Sequence, residues 1–320
     1  MRDAPLVLVT EALSDAATQW LAERCRVERV SPQEPAWAEL AARAEGLVVR
    51  TYTTVDEALL KTLPRLRVVG RAGVGLDAID LPACRRRGVP VVSTPDANTQ
   101  AVVEYVLCLL CDALRPRLYL EHPLPAEEWT QLREEVVGLW QMDELRLGIL
   151  GMGRIGRRVA AVAGAIGFEC VYNDLVEVPE SARSGARPVP VEELFAESDV
   201  LTLHVDGRPS NRHFVSAPLL QLMRPDVLLL NTCRGMVLDA AALAEFLRAN
   251  PAASAILDVH CPEPFTEASP LVGLPNAHLA PHLAARTMRA MDNMSWVVRD
   301  VWAVLDGRPP VHPAPADGTP

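Results

Sequence analysis

Residues 146–156 read Arg-Leu-Gly-Ile-Leu-Gly-Met-Gly-Arg-Ile-Gly, and this stretch decides the fold. The apolar run that ends at Leu150 predicts a buried strand, and the run RRVAAVAGAIG that follows predicts a helix. Gly151, Gly153 and Gly156 form a G-x-G-x-x-G pattern between them. In that context the glycines permit a tight turn, a close approach of backbone to a pyrophosphate, and close packing of helix on strand. The stretch predicts a dinucleotide site, against the alternative of a glycine-rich turn in another α/β fold.

The next predicted strand, ECVYND, indicates which dinucleotide binds. It ends in Asp174, eighteen residues after Gly156. A carboxylate at this place binds both ribose hydroxyls of NAD and repels the 2′-phosphate of NADP. The start of the helix offers amide hydrogens and a positive dipole end to the phosphates. The sequence therefore predicts NAD as the cofactor.

Apolar runs alternate with helical stretches on both sides of the glycine turn, and this alternation predicts parallel sheets with helices on their faces. The predicted strands are PLVLVT, RVERVS, GLVVR, RVVGRA and VPVVST before the turn, and LRLGILG, ECVYND, DVLTLHV, VLLLNT, SAILDV and AHLAPH from Leu145 onward. The fold class is α/β, with two doubly wound parallel-sheet domains. Because the turn lies mid-chain, we expect residues 99–285 to form an NAD-binding domain inserted into a domain of residues 1–98 and 286–320. The last long helix is expected from about Arg286 to Leu305, and the proline-rich tail is expected to be disordered from about residue 307.

Composition excludes several other functions. Lys61 is the only lysine among 31 basic residues and has no glycine near it, so a GxxxxGK[ST] phosphate loop is absent. The formal net charge of −10 argues against a nucleic-acid partner, and no apolar run reaches the length of a membrane span. An odd count of seven cysteines without regular spacing favours a reducing, cytoplasmic compartment. Cys108 and Cys111 form a C-x-x-C in an apolar helix, which we interpret as buried core thiols rather than a redox pair. No metal-binding spacing is present.

Three further segments follow predicted strands, at the carboxyl edge where open α/β sheets bind ligands. They contain Arg234 in NTCRG, Glu263 in DVHCPEP and His282 in PHL. An arginine fork holds a carboxylate in a bidentate grip, and a histidine exchanges a proton near neutral pH. A glutamate beside the histidine fixes its orientation and favours its protonated form. This set is what hydride transfer between a nicotinamide and a 2-hydroxy acid requires.

With these motifs the sequence resembles the D-isomer-specific 2-hydroxyacid dehydrogenases over nearly its whole length, from GRAGVGLDAIDL near Arg71 to PHLA. The resemblance implies a Rossmann NAD-binding domain inserted into a flavodoxin-like substrate domain, with the active site in the cleft and a homodimer through the NAD-binding domains. It implies that Arg234 binds and polarises the substrate, that Glu263 supports the histidine, and that His282 is the acid–base.

The resemblance also implies binding residues. Those for the substrate are Arg50, Arg71, Ala72, Gly73, Val74, Gly75 and Asn98, with the backbone amides of the Arg71–Gly75 loop holding the substrate carboxylate. Those for the cofactor are Val74, Gly151, Gly153, Arg154, Ile155, Gly156, Asp174, His204, Val205, Thr232, Cys233, Arg234, Asp258, His282 and Ala284. Among these, Asp258 matches the aspartate that bonds the nicotinamide carboxamide.

The sequence departs from the family pattern at three places. His260-Cys261 replaces the usual Phe-Glu, Asp206 and Arg208 replace residues of an LHxPLT stretch, and Ala280 replaces the threonine often found before the Pro-His pair. None of these departures removes a catalytic group, and whether His260 has a role in the site stays open.

The substrate also stays open. The stretches VVRTYTTVD and VVGRAGVGLDAIDL resemble the phosphoglycerate dehydrogenase branch, where an arginine at the position of Arg50 faces the substrate phosphate. The principal hypothesis is therefore a small D-2-hydroxy acid such as 3-phosphoglycerate. Hydroxypyruvate or glyoxylate reduction is the alternative. A different class, a dinucleotide-sensing corepressor of the same fold, is a further alternative because such proteins keep the catalytic residues.

Overall fold

The computed structural model describes residues 4–115 and 117–315, and the chain divides into two compact units. The first unit contains residues up to Thr99 and from Ala285 onward, and the second contains residues 100–284. Each boundary lies one residue from the predicted one. None of the helices in the described ranges is long and apolar enough to cross a membrane.

The first unit is built on a parallel sheet of five strands. Its strands are β1 (Leu6–Val9), β2 (Arg26–Arg29), β3 (Gly46–Val49), β4 (Val68–Arg71) and β5 (Val91–Val92), and its first helices are α1 (Asp15–Ala22), α2 (Trp37–Ala41), α3 (Glu57–Lys61) and α4 (Leu81–Arg86). The strand order is β2-β1-β3-β4-β5, the flavodoxin-like order. It reverses between β1 and β3, so the loops after these two strands lie at the switch point where such sheets bind ligands.

The second unit carries a parallel sheet of seven strands. Its strands are β6 (Arg146–Leu150), β7 (Glu169–Asn173), β8 (Arg187–Pro188), β9 (Val200–Leu203), β10 (Leu228–Asn231), β11 (Ser254–Leu257) and β12 (Ala277–Leu279). Its helices are α5 (Thr99–Leu114), which begins at the unit boundary, α6 (Ala126–Glu135), α7 (Arg154–Ala165), α8 (Val191–Glu197), α9 (Ala217–Leu220) and α10 (Ala240–Ala249). The order β12-β11-β10-β9-β6-β7-β8 is the Rossmann order extended by one strand, with its switch point between β6 and β9. The sequence did not predict β8, which is short and has no apolar run.

The chain then returns to the first unit in two helices, α11 (Met288–Ser295) and α12 (Val298–Leu305), so the prediction of one long helix is wrong. Ser295 lies at the break. Its hydroxyl donates to the carbonyl of Met291 at 2.8 Å and accepts from the backbone N–H of Ser14 at 2.9 Å, and serine bonds of the first kind bend helices. Beyond the break, α12 packs tightly on the sheet, because a Cβ on Gly70 would lie 2.5 Å from Cγ2 of Val301.

Two further sequence expectations are corrected. The tail is ordered through Pro315, because the buried carboxylate of Asp300 accepts from the backbone N–H groups of Val311 and His312 at 2.6 and 3.1 Å. The last residues, 316–320, lie outside the described part of the chain. On α5, Cys108 is exposed rather than buried and Cys111 is half-buried, since the core side of this helix carries valines and leucines instead.

Candidate active site

The glycine-rich turn between β6 and α7 has the shape that a dinucleotide requires. Gly151 has φ +94°, and a Cβ on it would lie 2.7 Å from the carbonyl oxygen of His204, at the end of β9. A Cβ on Gly156 would lie 2.1 Å from the carbonyl oxygen of Gly151, so helix and turn are in direct backbone contact. At Gly153, the N-cap residue of α7, a Cβ would meet nothing within 4 Å. The turn is thus tight at its two ends and open in the middle, where Arg154 and Ile155 form the first turn of the helix.

Asp174 is fixed beside this turn. One carboxylate oxygen accepts from the backbone N–H of Met152 at 2.6 Å, and the other accepts from that of Val176 at 3.0 Å. The carboxylate at the end of β7 is therefore held by the glycine-rich turn itself.

Two buried polar atoms at the same edge of the sheet lack a hydrogen-bond partner within the described residues. They are Nδ1 of His204 and Oγ1 of Thr232, which follow the paired strands β9 and β10. The other ring nitrogen of His204 lies 2.9 Å from Oγ1 of Thr202, and burial lowers the pKa of His204 to about 3, so its ring is neutral. Buried polar groups almost always have partners. Orphaned atoms at the switch point next to an open glycine turn therefore fit a nicotinamide dinucleotide as the missing partner.

The predicted catalytic residues of the second unit follow three neighbouring strands: Arg234 follows β10, Glu263 follows β11 and His282 follows β12. Nδ1 of His282 lies 2.8 Å from Oε2 of Glu263. The other oxygen of Glu263 accepts from the backbone N–H of His260 at 2.8 Å. Burial raises the pKa of the Glu263 carboxyl, but the hydrogen bonds from His282 and from the His260 backbone outweigh it and hold this pKa below its usual value. Glu263 is thus a carboxylate that fixes Nδ1 of the histidine and leaves Nε2 for a substrate.

The backbone of His282 is in the left-handed region, with φ +57°. Such a conformation costs a non-glycine residue about 1–3 kcal/mol and persists only where its surroundings impose it. Here Asp258 imposes it: the carboxylate is wholly buried and accepts from the N–H groups of Leu283 and Ala284 at 2.7 and 2.9 Å. Sequence reasoning missed this role of Asp258, and the contact with a nicotinamide carboxamide stays a prediction.

Arg234 extends from a turn that Asn231 organises. The fully buried Asn231 side chain accepts from the Cys233 N–H at 3.1 Å and donates to the Arg234 carbonyl at 3.2 Å. Beyond β9, Arg208 forms a bidentate ion pair with Asp206. Burial raises the pKa of Asp206, but the Arg208 bonds, with a smaller contribution from the charge of Arg234, lower it below its usual value. At the departure from the family pattern, Asp206 and Arg208 thus neutralise each other's charge.

Two further residues predicted to bind the cofactor lie near the glycine-rich turn and after β10. Val205 lies against Gly151. Cys233 is buried, and burial raises the pKa of its thiol to about 11.

The predicted substrate residues lie in the first unit. Arg71 folds over its own loop and donates to the carbonyls of Gly75 and Ala72 at 2.9 and 2.7 Å. Gly73 has φ +153°, a backbone conformation that favours glycine. Two of the predicted amide donors are committed elsewhere: the Ala72 N–H donates to Val49 and the Gly73 N–H to Arg71, both at 2.8 Å. The predicted donors to the substrate carboxylate are therefore reduced to the backbone N–H groups of Val74 and Gly75.

Arg50 and Asn98 complete the predicted substrate set. Asn98 lies immediately before α5. Arg50, at the end of β3, is only 9% exposed, and its guanidinium donates to the Ala12 carbonyl at 2.9 Å and to the sulfur of Met291 at 3.0 Å.

Comparisons with known proteins agree with this geometry. Residues 107–284 match the family model described as D-isomer specific 2-hydroxyacid dehydrogenase, NAD binding domain. The chain is 33% identical over 292 residues to the D-3-phosphoglycerate dehydrogenase of Mycobacterium leprae, and the match covers 91% of this chain but 54% of that protein. This chain therefore spans about half the length of that relative.

Two further relatives match over nearly their full length. The glyoxylate reductase of Aeropyrum pernix is 34% identical over 305 residues, with 92% of this chain and 91% of that protein covered. The crystal structure of a glyoxylate reductase from Paecilomyes thermophila superposes with a TM-score of 0.84 at 26% identity, covering 99% of this chain and 100% of that one. These matches confirm the predicted fold and the predicted nicotinamide cofactor.

Proposed function

The chain belongs to the D-isomer-specific 2-hydroxyacid dehydrogenase family, and from this premise we propose that it transfers a hydride between a nicotinamide and C2 of a small D-2-hydroxy acid or 2-keto acid. The observation that carries the proposal is the bond of 2.8 Å between Nδ1 of His282 and Glu263, at the sheet edge that also holds Arg234 and the glycine-rich turn. A structural histidine needs neither a strained backbone nor a carboxylate partner at this edge.

The roles of the residues follow from their contacts. When bound, the nicotinamide supplies or accepts the hydride, and the turn from Gly151 to Gly156 together with Asp174 would hold its dinucleotide. In reduction, Nε2 of His282 donates a proton to the oxygen on C2; in oxidation it accepts the hydroxyl proton. Glu263 keeps the ring oriented through its bond to Nδ1. The guanidinium of Arg234 binds the keto acid and polarises its carbonyl.

The substrate that we propose is an unphosphorylated acid such as glyoxylate or hydroxypyruvate. The loop after β3 at the switch point holds an anion of its own: the carboxylate of Glu11 accepts from the backbone N–H groups of residues 50–53 at 2.9 to 3.3 Å. The guanidinium of Arg50 is bound to Ala12 and Met291, and the charges near it are the carboxylate of Glu11 and the guanidinium of Arg286. A substrate phosphate would have to displace these contacts and approach a carboxylate, which like-charge repulsion opposes.

An assay of keto-acid reduction tests this proposal. Reduction of glyoxylate, hydroxypyruvate and 3-phosphohydroxypyruvate is followed by NADH oxidation, in the wild type and in Arg50→Gln. We expect kcat/KM for an unphosphorylated acid to exceed that for the phosphorylated acid by about tenfold or more, from repulsion of a little over 1 kcal/mol. We expect Arg50→Gln to leave this ratio unchanged.

A higher kcat/KM for 3-phosphohydroxypyruvate than for the unphosphorylated acids, with this preference lost in Arg50→Gln, would establish 3-phosphoglycerate oxidation instead. That substrate is the second candidate because a 33% identical relative is named for it. Absence of turnover with any 2-keto acid would contradict the enzymatic proposal and leave the corepressor alternative.

We propose further that two copies of the chain form a homodimer through their NAD-binding units. Many large apolar side chains of the segment after α5 are exposed: Leu118, Tyr119, Leu120, Trp129, Val136, Val137, Leu139 and Trp140. Near it in sequence, Val103, Leu107 and Leu110 of α5 line an apolar groove with Val159 and Val162 of α7. Large apolar side chains exposed in such number within one segment favour a protein interface there.

The cytoplasmic location that the sequence predicts stays a prediction.

Light scattering coupled to gel filtration checks the dimer. The wild type is expected at twice 34.9 kDa, and the double variant Val137→Asp, Leu139→Asp at 34.9 kDa, because two buried charges would lack partners in the interface. Leu175→Asp is the matched control, since Leu175 is 75% exposed elsewhere in the same unit. A monomeric wild type, or a double variant that remains dimeric, would contradict the proposed interface.

A further inference from the structure

His260 makes contacts with the segments that carry all three catalytic residues. Its backbone N–H donates to Oε1 of Glu263 at 2.8 Å. Its Nε2 lies 2.8 Å from the carbonyl oxygen of Ala280, two residues before His282. Because a carbonyl only accepts hydrogen bonds, Nε2 carries the proton and donates. Next to Arg234, a Cβ on Gly235 would lie 2.0 Å from the carbonyl carbon of His260, so the two backbones touch.

We propose that His260 is a positioning residue for hydride transfer, and that its Nε2–H bond to Ala280 keeps His282 in register with Glu263. This inference rests on the proposed function. The segments that it joins both lie beyond the ends of their strands, since β11 ends at Leu257 and β12 ends at Leu279. The pairing of β11 with β12 is continued by the bond from the Ala280 N–H to the carbonyl of Leu257 at 2.8 Å, but it stops short of Glu263 and His282.

Two residues, Asp258 and His260, hold the backbone on the two sides of His282. Asp258 holds the backbone after His282, through Leu283 and Ala284. His260 holds the backbone before it, through Ala280. The left-handed conformation of His282 is thus fixed on both sides by residues of the segment that also contains Glu263.

The side chain of His260 is itself kept in place by packing. Its ring lies against the ring of Phe265, with centroids 4.4 Å apart and planes tilted by 53°. A phenylalanine at residue 260 would keep this aromatic contact but would have no donor for Ala280. The hydrogen bond is therefore separable from the packing by substitution.

Kinetics of His260→Phe and His260→Gln test the proposal. The amide nitrogen of glutamine reaches about as far as Nε2, so this variant retains a donor. We expect His260→Phe to lower kcat about 10-fold, because a misplaced acid–base group loses part of the 10²–10⁴-fold that general acid catalysis supplies. KM for the keto acid and for NADH should change less than about twofold, and the solvent deuterium isotope effect on kcat should rise because proton transfer becomes slower. His260→Gln should recover most of the loss in kcat.

Three outcomes would overturn the proposal: an unchanged kcat in His260→Phe, a loss that appears only in KM, or no difference between the Phe and Gln variants. If His260→Phe does not fold, His260→Met against His260→Gln makes the same comparison at matched size. The downfield proton resonance of the bonded Nδ1–H of His282, identified by its loss in His282→Gln, provides a readout that needs no turnover. This resonance should be retained in His260→Gln and lost in His260→Phe or His260→Met, which have no donor at residue 260. An inactive wild type that shows this pattern would contradict the proposed reaction and not the positioning role.

Discussion

Replacement of His282 by glutamine is expected to lower kcat for keto-acid reduction by about 10²–10⁴-fold, the range that a general acid–base contributes. Glutamine keeps a polar side chain that reaches toward Glu263, but it cannot give up a proton to the substrate oxygen near neutral pH. The bond between Nδ1 and Oε2 of Glu263 at 2.8 Å assigns the proton transfer to Nε2, and no atom of glutamine replaces that nitrogen as an acid. Steady-state NADH oxidation measures the loss in kcat.

His278→Gln is the matched control for this variant. His278 is an exposed histidine on β12, four residues earlier in the chain, and its replacement should leave kcat unchanged. Titration of NADH by fluorescence should give the same Kd in both variants and the wild type to within a few-fold, since we expect the glycine-rich turn to provide most of the dinucleotide contacts. A His282→Gln enzyme that keeps a third of the wild-type kcat would contradict the assignment of the acid–base.

The arrangement explains why His282, the proposed acid–base, has a strained backbone. A residue in the left-handed region relaxes unless neighbouring groups prevent it. The buried carboxylate of Asp258 binds two successive N–H groups after His282, and the ring of His260 binds a carbonyl before it. Both holders lie on the loop after β11, which also carries Glu263. The strain and the pairing with glutamate therefore have one structural origin.

Much of the fold was predictable because it depends on local pattern. The apolar runs and the spacing of Gly151, Gly153 and Gly156 predict the second sheet, and the structure has six of its seven strands where the pattern predicts them; β8 is the exception. The break between α11 and α12 was not predictable in this way. It involves a bond from the Ser14 N–H to the Ser295 hydroxyl, residues 281 positions apart, and periodicity contains no information about such pairs. The tail was missed for the same reason, since Asp300 satisfies its backbone.

The site shows the same division. Residue types and motif order identified Arg234, Glu263 and His282, and the structure brings them to the ends of adjacent strands. The carboxylates of Glu11 and Asp258 were not recognised as holders of backbone N–H groups, because an acidic residue bound to a loop has the same sequence signature as an exposed one. Arg50 shows a related difficulty: its bonds to the Ala12 carbonyl and the Met291 sulfur have no sequence signature, and its contact with a substrate phosphate stays a prediction.

Replacement of Asp174 by asparagine is expected to lower the preference for NADH over NADPH about 100-fold, measured as the ratio of the two kcat/KM values. The wild-type carboxylate would face the 2′-phosphate of NADPH, and the juxtaposition of like charges costs several kcal/mol. Each 1.4 kcal/mol of that cost corresponds to a tenfold change in affinity. Asparagine removes the charge but keeps an oxygen that can accept from the Met152 N–H. In the wild type this N–H donates to the Asp174 carboxylate at 2.6 Å. The glycine-rich turn should therefore keep its shape, and most of the change should appear as a lower KM for NADPH.

Glu177→Gln separates a local effect from a change in overall charge. Glu177 is an exposed carboxylate three residues further along the same loop, so its loss removes one negative charge close to Asp174. If Asp174 acts by facing the ribose, Glu177→Gln leaves the cofactor ratio within about twofold of the wild type, because exposed charges are largely screened. Equal shifts in both variants would mean that the general field of the loop selects the cofactor. An unchanged ratio in Asp174→Asn would mean that the carboxylate serves only to hold the glycine-rich turn through Met152.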